Sequence, residues 1–300
     1  FSPMFSARCF QPDAFSPISS QPMRKFRASI QISDTPNERC LGQPTRGKTA
    51  PNRLRQTDVF LAIAFPGIIQ TRNCRYVDLG YGESPITTLE TWERLQKINP
   101  SIQVLGVEID PNRVTDARPF TQENLEFRLG GFNLPVAPDE RVNVIRVFNV
   151  LRQYEEADVE IALQTLGQSL APGGLILEGT CDPTGRFMAF QLFRKRNAGD
   201  IDHIGLVFAP RLRSEFYPRQ LQSILPKSLI HHAEPGGAVD QFFSRWHICW
   251  QAARAQFPGQ AQKQIFAQAA LRLKEIYGYH LDQRLTLLKR GFLVLSQKHF

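Results

Sequence analysis

Between Tyr76 and Cys181, short apolar runs alternate with segments whose apolar residues recur at helical spacing, and this pattern predicts strand and helix in turn. Strands are expected at Tyr76 to Leu79, Gln103 to Val107, Leu125 to Leu129, Val142 to Phe148 and Leu175 to Glu178. Leu89, Trp92, Leu95 and Ile98 form one apolar stripe, ending at Pro100. Val159, Ala162, Leu163, Leu166 and Leu170 form another, closed by Ala171-Pro172-Gly173-Gly174, a run that cannot continue a helix. Ser84-Pro85 and Asp110-Pro111 each set a capping side chain before a proline, the start signal of a helix. Such succession implies a mostly parallel sheet with helices on both faces.

Further along, Phe187 to Leu192 and Ile204 to Phe208 read as two more strands, joined by a polar turn around Asn197-Ala198-Gly199-Asp200. As an antiparallel pair they would bring the sheet to seven strands. Val239 to Tyr277 reads as helix, with Phe242, Phe243, Trp246 and Trp250 on one side of its first half. Upstream, Pro51 opens a helix whose Leu54, Phe60 and Leu61 pack beside the first strand. Residues 1–50 are rich in Ser, Pro, Gln and Arg without apolar periodicity, and are expected to form a flexible arm. The expected division is therefore an arm at 1–50, an α/β domain at 51–210 and a helical C-terminal extension at 211–300.

The chain has 300 residues, 42% of them hydrophobic, enough for a sizeable core. No apolar run approaches the roughly 18 residues of a membrane helix, so no membrane partner is expected. The cysteines (Cys9, Cys40, Cys74, Cys181 and Cys249) are odd in number and scattered, with no Cys-x-x-Cys pair, which fits a reducing cytoplasm and no zinc site. Adjacent His231 and His232 lack ligand spacing, and no metal is expected. No Gly-x-Ser-x-Gly nucleophile turn is present. The net charge of +8 divides unevenly: +6 over residues 1–56, −8 over 57–183 and +10 over 184–300. The basic flanks suit an acidic partner such as nucleic acid, although lysines and arginines scattered on solvated helices would give the same totals.

Val77-Asp78-Leu79-Gly80-Tyr81-Gly82-Glu83-Ser84 is a strand, a tight turn with two positions lacking Cβ, and a helix start. Backbone can approach a ligand closely there, and the helix-start amides favour anionic groups. Glu108 ends the next strand, in Val104-Leu105-Gly106-Val107-Glu108-Ile109-Asp110, where a carboxylate can accept hydrogen bonds from both ribose hydroxyls. Asp110 reads rather as a helix cap. A dinucleotide fingerprint would need glycine or alanine where Pro85 stands.

From Tyr76 to Cys181, about a third of the chain, these motifs resemble the class I S-adenosylmethionine-dependent methyltransferases. The resemblance implies a Rossmann-like fold and S-adenosylmethionine as cofactor. It places Asp78 at the acid opening the glycine turn, Gly80, Gly82 and Ser84 against the methionine portion, and Glu108 on the ribose. Ile109 and Gly131-Phe132-Asn133 fall at the adenine pocket, and Asn149 beside the methionine amino group and the methyl. The acid often found after the third strand is replaced by Gly130-Gly131-Phe132-Asn133, and the third glycine of the turn by Ser84. Arg152, Gln153 and Tyr154, and the segments Arg46-Gly47-Lys48-Thr49 and Pro226 to His232, are candidates to border an acceptor. No catalytic residue stands out, since methyl transfer can rest on proximity and alignment. The acceptor stays unidentified. Two other readings remain open: a module that binds an adenosyl ligand, RNA or protein without turnover, and an aminopropyltransferase-like enzyme.

Overall fold

The structure, a computed structural model, describes residues 40–196, 200–213, 215–230 and 232–296. Residues 1–39, the turn residues 197–199 and His231 lie outside the described residues, and with them most of the expected arm. The chain runs through α1 (Arg55–Ala64), α2 (Pro66–Ile69), β1 (Arg75–Leu79), α3 (Ile86–Leu95), β2 (Gln103–Glu108), α4 (Pro111–Ala117), β3 (Leu125–Leu129) and β4 (Val142–Phe148). It continues with α5 (Glu156–Ser169), β5 (Leu170–Cys181), β6 (Met188–Lys195), β7 (Ile201–Phe208), α6 (Lys227–Ile230), α7 (Ala238–Gln256), α8 (Gln262–Tyr277), α9 (Leu285–Leu288) and β8 (Leu293–Leu295).

The strands make one sheet in the order β3-β2-β1-β4-β5-β6-β7-β8. From β3 to β5 all neighbours are parallel, and β6, β7 and β8 each join antiparallel to the strand before. The expected pair after Cys181 is thus present, but the described sheet has eight strands, not seven. The additional strand, β8, comes from the segment expected to be helical, and its three residues carry too short an apolar pattern to read as a strand. The parallel strands are buried on both faces and read as near-continuous apolar runs.

One face of the sheet packs against α1 and α3, around Leu61, Tyr76, Leu95, Val144, Leu177 and Phe190. The other face is covered by α5 over Val77, Leu105, Ile145 and Ile176, and by α7 and α8 over Ala189, Leu206, Phe208 and Leu293. Phe242, Phe243, Trp246 and Trp250 are all buried in this second layer. The single long helix expected from Val239 to Tyr277 is two, because Pro258-Gly259 interrupts it, with Gly259 at φ +84°. At α4 the expected start holds, since Asp110 accepts hydrogen bonds from the Asn112 and Arg113 amides. At α3 it does not: the helix begins at Ile86, Pro85 takes the cap position, and no side chain caps it. The turn Ala171-Pro172-Gly173-Gly174 lies within β5, which starts five residues ahead of the expected Leu175 with a register shift against β4.

The buried face of α3 is also only in part the expected apolar stripe. Leu95 is buried and Leu89 and Trp92 pack against the core as expected, but the most buried positions beside Leu95 are Thr87, Thr88 and Thr91, while Ile98 is exposed. The reason is Arg146, the one charged residue of β4, which is fully buried beneath this helix. Its Nε and Nη2 donate to the two carboxylate oxygens of Asp78 at 2.9 and 2.7 Å, and its Nη1 donates to Asp58 at 3.0 Å. Thr88 donates to Asp78 at 2.8 Å, and Thr91 to Asp58 at 3.2 Å. Burial opposes the guanidinium charge, but the Asp78 and Asp58 carboxylates outweigh it and its pKa is raised. The polar helix face exists to complete this network, because a buried charge is tolerated only when paired and hydrogen-bonded.

Candidate functional site

Strand order reverses between β1 and β4, and in open α/β sheets the crevice at the carboxyl ends of such strands is where ligands bind. Here β1 delivers the turn Gly80-Tyr81-Gly82, β2 ends on Glu108, β3 runs into Gly130-Gly131-Phe132, and β4 ends at Asn149. A crevice of about 470 Å³ lies against the glycine turn, Asp78 and Asn149, bordered by Arg53, Arg152 and Gln153. Beside it, a narrower pocket of about 20 Å³ is lined by Glu108, Ile109, Phe132, Val150 and Tyr154.

Across both runs residues 41–49, described here as a strap. Leu41 donates to Asn133 at 2.7 Å and accepts from the Phe132 amide at 2.8 Å. The Gln43 amide donates to the Tyr154 hydroxyl at 2.5 Å. Thr45 and Gly47 carbonyls accept from Arg113 and from the Glu83 amide, both at 2.9 Å. The Lys48 carbonyl accepts from Arg53. The strap thus touches the ends of β1, β2, β3 and β4, and at Gly131 it passes so close that an added Cβ would lie 2.1 Å from the Leu41 carbonyl oxygen.

The residues singled out in the sequence fall as follows. Gly80 and Gly82 both have positive φ, +74° and +92°, and a Cβ on Gly82 would meet the Gly47 carbonyl oxygen at 2.5 Å. Glu108, only 1% exposed, accepts from the Gly82 and Ile109 amides at 2.9 Å each, with Arg113 at 3.6 Å. It ties the glycine turn to the end of β2. Ile109 and Phe132 line the narrow pocket. Asp78 borders the wide crevice, but its two oxygens are held by Arg146 and by Thr88. Asn149 adopts φ +59°, a conformation asparagine tolerates, and its side chain clamps Cys181, accepting from its amide at 3.0 Å and donating to its sulfur at 3.2 Å. Ser84 is half-buried and lines neither cavity.

Arg152 borders the crevice and donates to the Ser223 carbonyl at 2.9 Å, which links it to the chain after β7. His232 is exposed, and among the described residues no group of three His, Cys, Asp or Glu side chains could hold a metal ion. Arg46-Gly47-Lys48-Thr49, singled out in the sequence, all line the crevice, whereas the seating of residues 41–45 across the strand ends was missed, with Gly42 a turn signal in a run assigned to a flexible arm.

Gly82→Ala is expected to detach the strap, since the new methyl meets backbone rather than a yielding side chain and φ is unfavourable for alanine. The check is hydrogen exchange at the Glu83 amide, whose partner is the Gly47 carbonyl. Exchange should accelerate by about tenfold or more, corresponding to roughly 1–3 kcal/mol of strain. An unchanged Glu83 amide would contradict the strap's seating.

One further carboxyl lies close to this edge. Glu178 on β5 is 2% exposed, and burial pushes its pKa up to about 8 from an ordinary 4.5. The unfolded chain therefore ionises first as pH rises, so the contribution to stability is fully present below about pH 4.5 and is lost by about pH 8. Urea unfolding across this window should show the wild type losing up to a few kcal/mol more than Glu178→Gln. Parallel pH profiles for the two proteins would refute it.

No protein-family model matches the chain, and no curated protein matches it. Solved structures similar to it include the CMeT domain of the citrinin polyketide synthase, at 16% identity and TM-score 0.37, covering 44% of this chain and 36% of that one. A TehB-like S-adenosylmethionine-dependent methyltransferase from Corynebacterium glutamicum shares 20% identity at TM-score 0.31, over 44% of this chain and 64% of that one. The N-methyltransferase NodS from Bradyrhizobium japonicum, in complex with S-adenosyl-L-homocysteine, shares 18% at TM-score 0.31, over 42% and 60%. The matched region spans between about a third and two thirds of these structures. No helix among the described residues is long and apolar enough to cross a membrane. Each of these likenesses to solved structures covers less than half of this chain, at 20% identity or less.

Proposed function

We propose that the chain is an S-adenosylmethionine-dependent methyltransferase whose cofactor spans the two cavities. The observation that carries this reading is their arrangement at the switch point of the sheet: a narrow apolar pocket with Glu108 at its mouth, opening past the glycine turn into a wide crevice. Ile109 and Phe132 would hold the adenine, Glu108 the ribose hydroxyls, and Gly80, Gly82 and Asn149 the methionine end. Asp78 would act by fixing β1 behind the turn rather than by direct contact, because its oxygens are already engaged. Ser84 has no place in this assignment.

The residues present fit such a group in two respects. Gly80 and Gly82 line the crevice with bare backbone, and the crevice carries Arg46, Lys48, Arg53 and Arg152 against a single acid, Asp78, that is already paired. A basic wall suits the methionine carboxylate and an anionic acceptor. When bound, the cofactor supplies an electrophilic methyl. The protein's part is then to align an acceptor beside Asn149 and keep water out, which requires no dedicated base.

Titration calorimetry with S-adenosylmethionine and S-adenosylhomocysteine tests the reading. Both are expected to bind, and absence of binding at millimolar ligand overturns it. The strap leaves only about 20 Å³ at the adenine end, room for little more than a water, so adenine can enter only if residues 41–45 shift. A second reading is that the site binds an adenosyl ligand without turnover. Binding with no methyl transfer to small molecules, RNA or protein extracts would select that one. An acidic pocket fitting a polyamine, the mark of an aminopropyltransferase, does not line the crevice, whose basic side chains outnumber its one acid.

A further inference from the structure

A second cleft, of about 270 Å³, lies on the far side of the turn that opens α1. Arg53 and Leu54 wall the cofactor crevice, while Asn52, Arg55 and Gln56 wall this cleft. Its charged lining is Arg55, Arg211, Arg213, Lys263 and Arg290, and no acidic residue is among its lining residues. These five come from the start of α1, the loop after β7, the start of α8 and the turn before β8. The two basic flanks of the sequence therefore converge here in space.

Elsewhere some of the protein's arginines are paired with acids and others are not. Arg75, Arg94, Arg128, Arg146, Arg196, Arg219 and Arg284 each meet a carboxylate within 4.0 Å. Among the described residues, no such pair involves any of the five in the cleft. Arg211 alone is anchored, donating to the Asn52 carbonyl at 2.6 Å, which holds its guanidinium at the cleft wall. Like charges gathered without counter-charges repel one another, and a concave wall of low dielectric focuses their field on whatever anion enters.

We propose that this cleft binds a phosphate-bearing ligand. Planar guanidinium groups match phosphate oxygens in paired hydrogen bonds, and five cations exceed what one carboxylate could neutralise. The same chemistry could come from the backbone of a nucleic acid or from a small phosphorylated molecule. The concave shape distinguishes it from a flat headgroup surface. The proposal does not rest on methyl transfer, and its test needs no cofactor.

The whole chain is titrated with fluorescein-labelled oligouridine by anisotropy, and separately with pyrophosphate by calorimetry, at about 50 mM salt. Arg213→Glu/Lys263→Glu alters two exposed side chains of the cleft. Lys97→Glu/Lys274→Glu makes the same charge change at two exposed positions elsewhere, in the turn after α3 and on α8. The cleft variant is expected to weaken binding by about tenfold or more while the control stays near wild type. For oligouridine, the slope of log K against log salt should become shallower by about 1.4, the value for two lost phosphate contacts on a single strand. Binding of pyrophosphate but not oligouridine supports the site and assigns it to small phosphorylated ligands. Binding of oligouridine that is weakened only by the cleft variant supports the site and assigns it to a nucleic-acid backbone. Arg55→Gln/Arg290→Gln repeats the test should the first variant fail to fold. If neither probe binds, or if the control weakens binding as much as the cleft variants, the proposal is overturned.

Discussion

Arg146→Ala is expected to lower the free energy of unfolding by about 3–5 kcal/mol, a large part of the total for a domain of this size. The side chain is 0% exposed, and its removal strands two buried carboxylates, Asp78 and Asp58, that it now holds at 2.7 and 3.0 Å. Thr91 also loses the donor at 2.9 Å that orients its hydroxyl. Arg94 still reaches Asp58, so the stranded charge is worse at Asp78. Urea unfolding measures the loss. Neutralising both acids in the same background, as Arg146→Met/Asp78→Asn/Asp58→Asn, should recover much of it, because the cost lies in unpaired charge rather than in absent contacts. A single substitution no worse than about 1 kcal/mol would show that water reaches the network and would overturn this account.

Glu108→Ala is expected to weaken S-adenosylmethionine and S-adenosylhomocysteine binding by at least about 100-fold. Hydrogen bonds to a charged group contribute roughly 1.5–3 kcal/mol each, and two to the ribose would be lost. The same carboxylate holds the Gly82 and Ile109 amides, so the variant also loosens the turn that faces the methionine end. Glu108→Gln separates the two roles. It keeps an acceptor for one amide and removes the charge, so the fold should be retained while affinity stays well below wild type. Calorimetry gives affinity and thermal unfolding gives stability. Unchanged affinity in a folded Glu108→Ala protein would remove the carboxylate from the cofactor site.

The parallel core was legible in the sequence because its signals are local. Buried strands carry apolar runs, as in Val104 to Val107 of β2, and Asp110-Pro111 caps α4 within three residues. Gly80, Gly82 and Glu108 were legible for the same reason: each stands at a strand end, where backbone geometry and residue type constrain one another. What stayed hidden depends on partners distant in the chain. Arg146 interrupts Val142-Asn143-Val144-Ile145-Arg146-Val147-Phe148, and nothing nearby announces Asp58, which lies 88 residues earlier. The threonine face of α3 follows from Arg146 and was equally invisible to helical periodicity. The strap has no periodicity at all, since its backbone is satisfied by side chains and strand ends rather than by a neighbour in a regular ladder. Ser84 failed as a cap because the helix starts at Ile86, one residue beyond the expected Pro85, a displacement that sequence signals do not determine.

The short strand β8 bears on the order in which this molecule can be completed. It covers the outer side of β7 at Leu206 to Phe208, yet about 85 residues separate Phe208 from Leu293. During synthesis the β6–β7 hairpin is therefore finished long before the strand that shields it has left the ribosome. For that interval β7 exposes a row of unpaired amides and carbonyls, the kind of edge through which nascent chains adhere to one another. The α7–α8 pair, translated in between and packed over Leu206 and Phe208, can hide the apolar face of β7, but the backbone edge waits for Leu293 to Leu295.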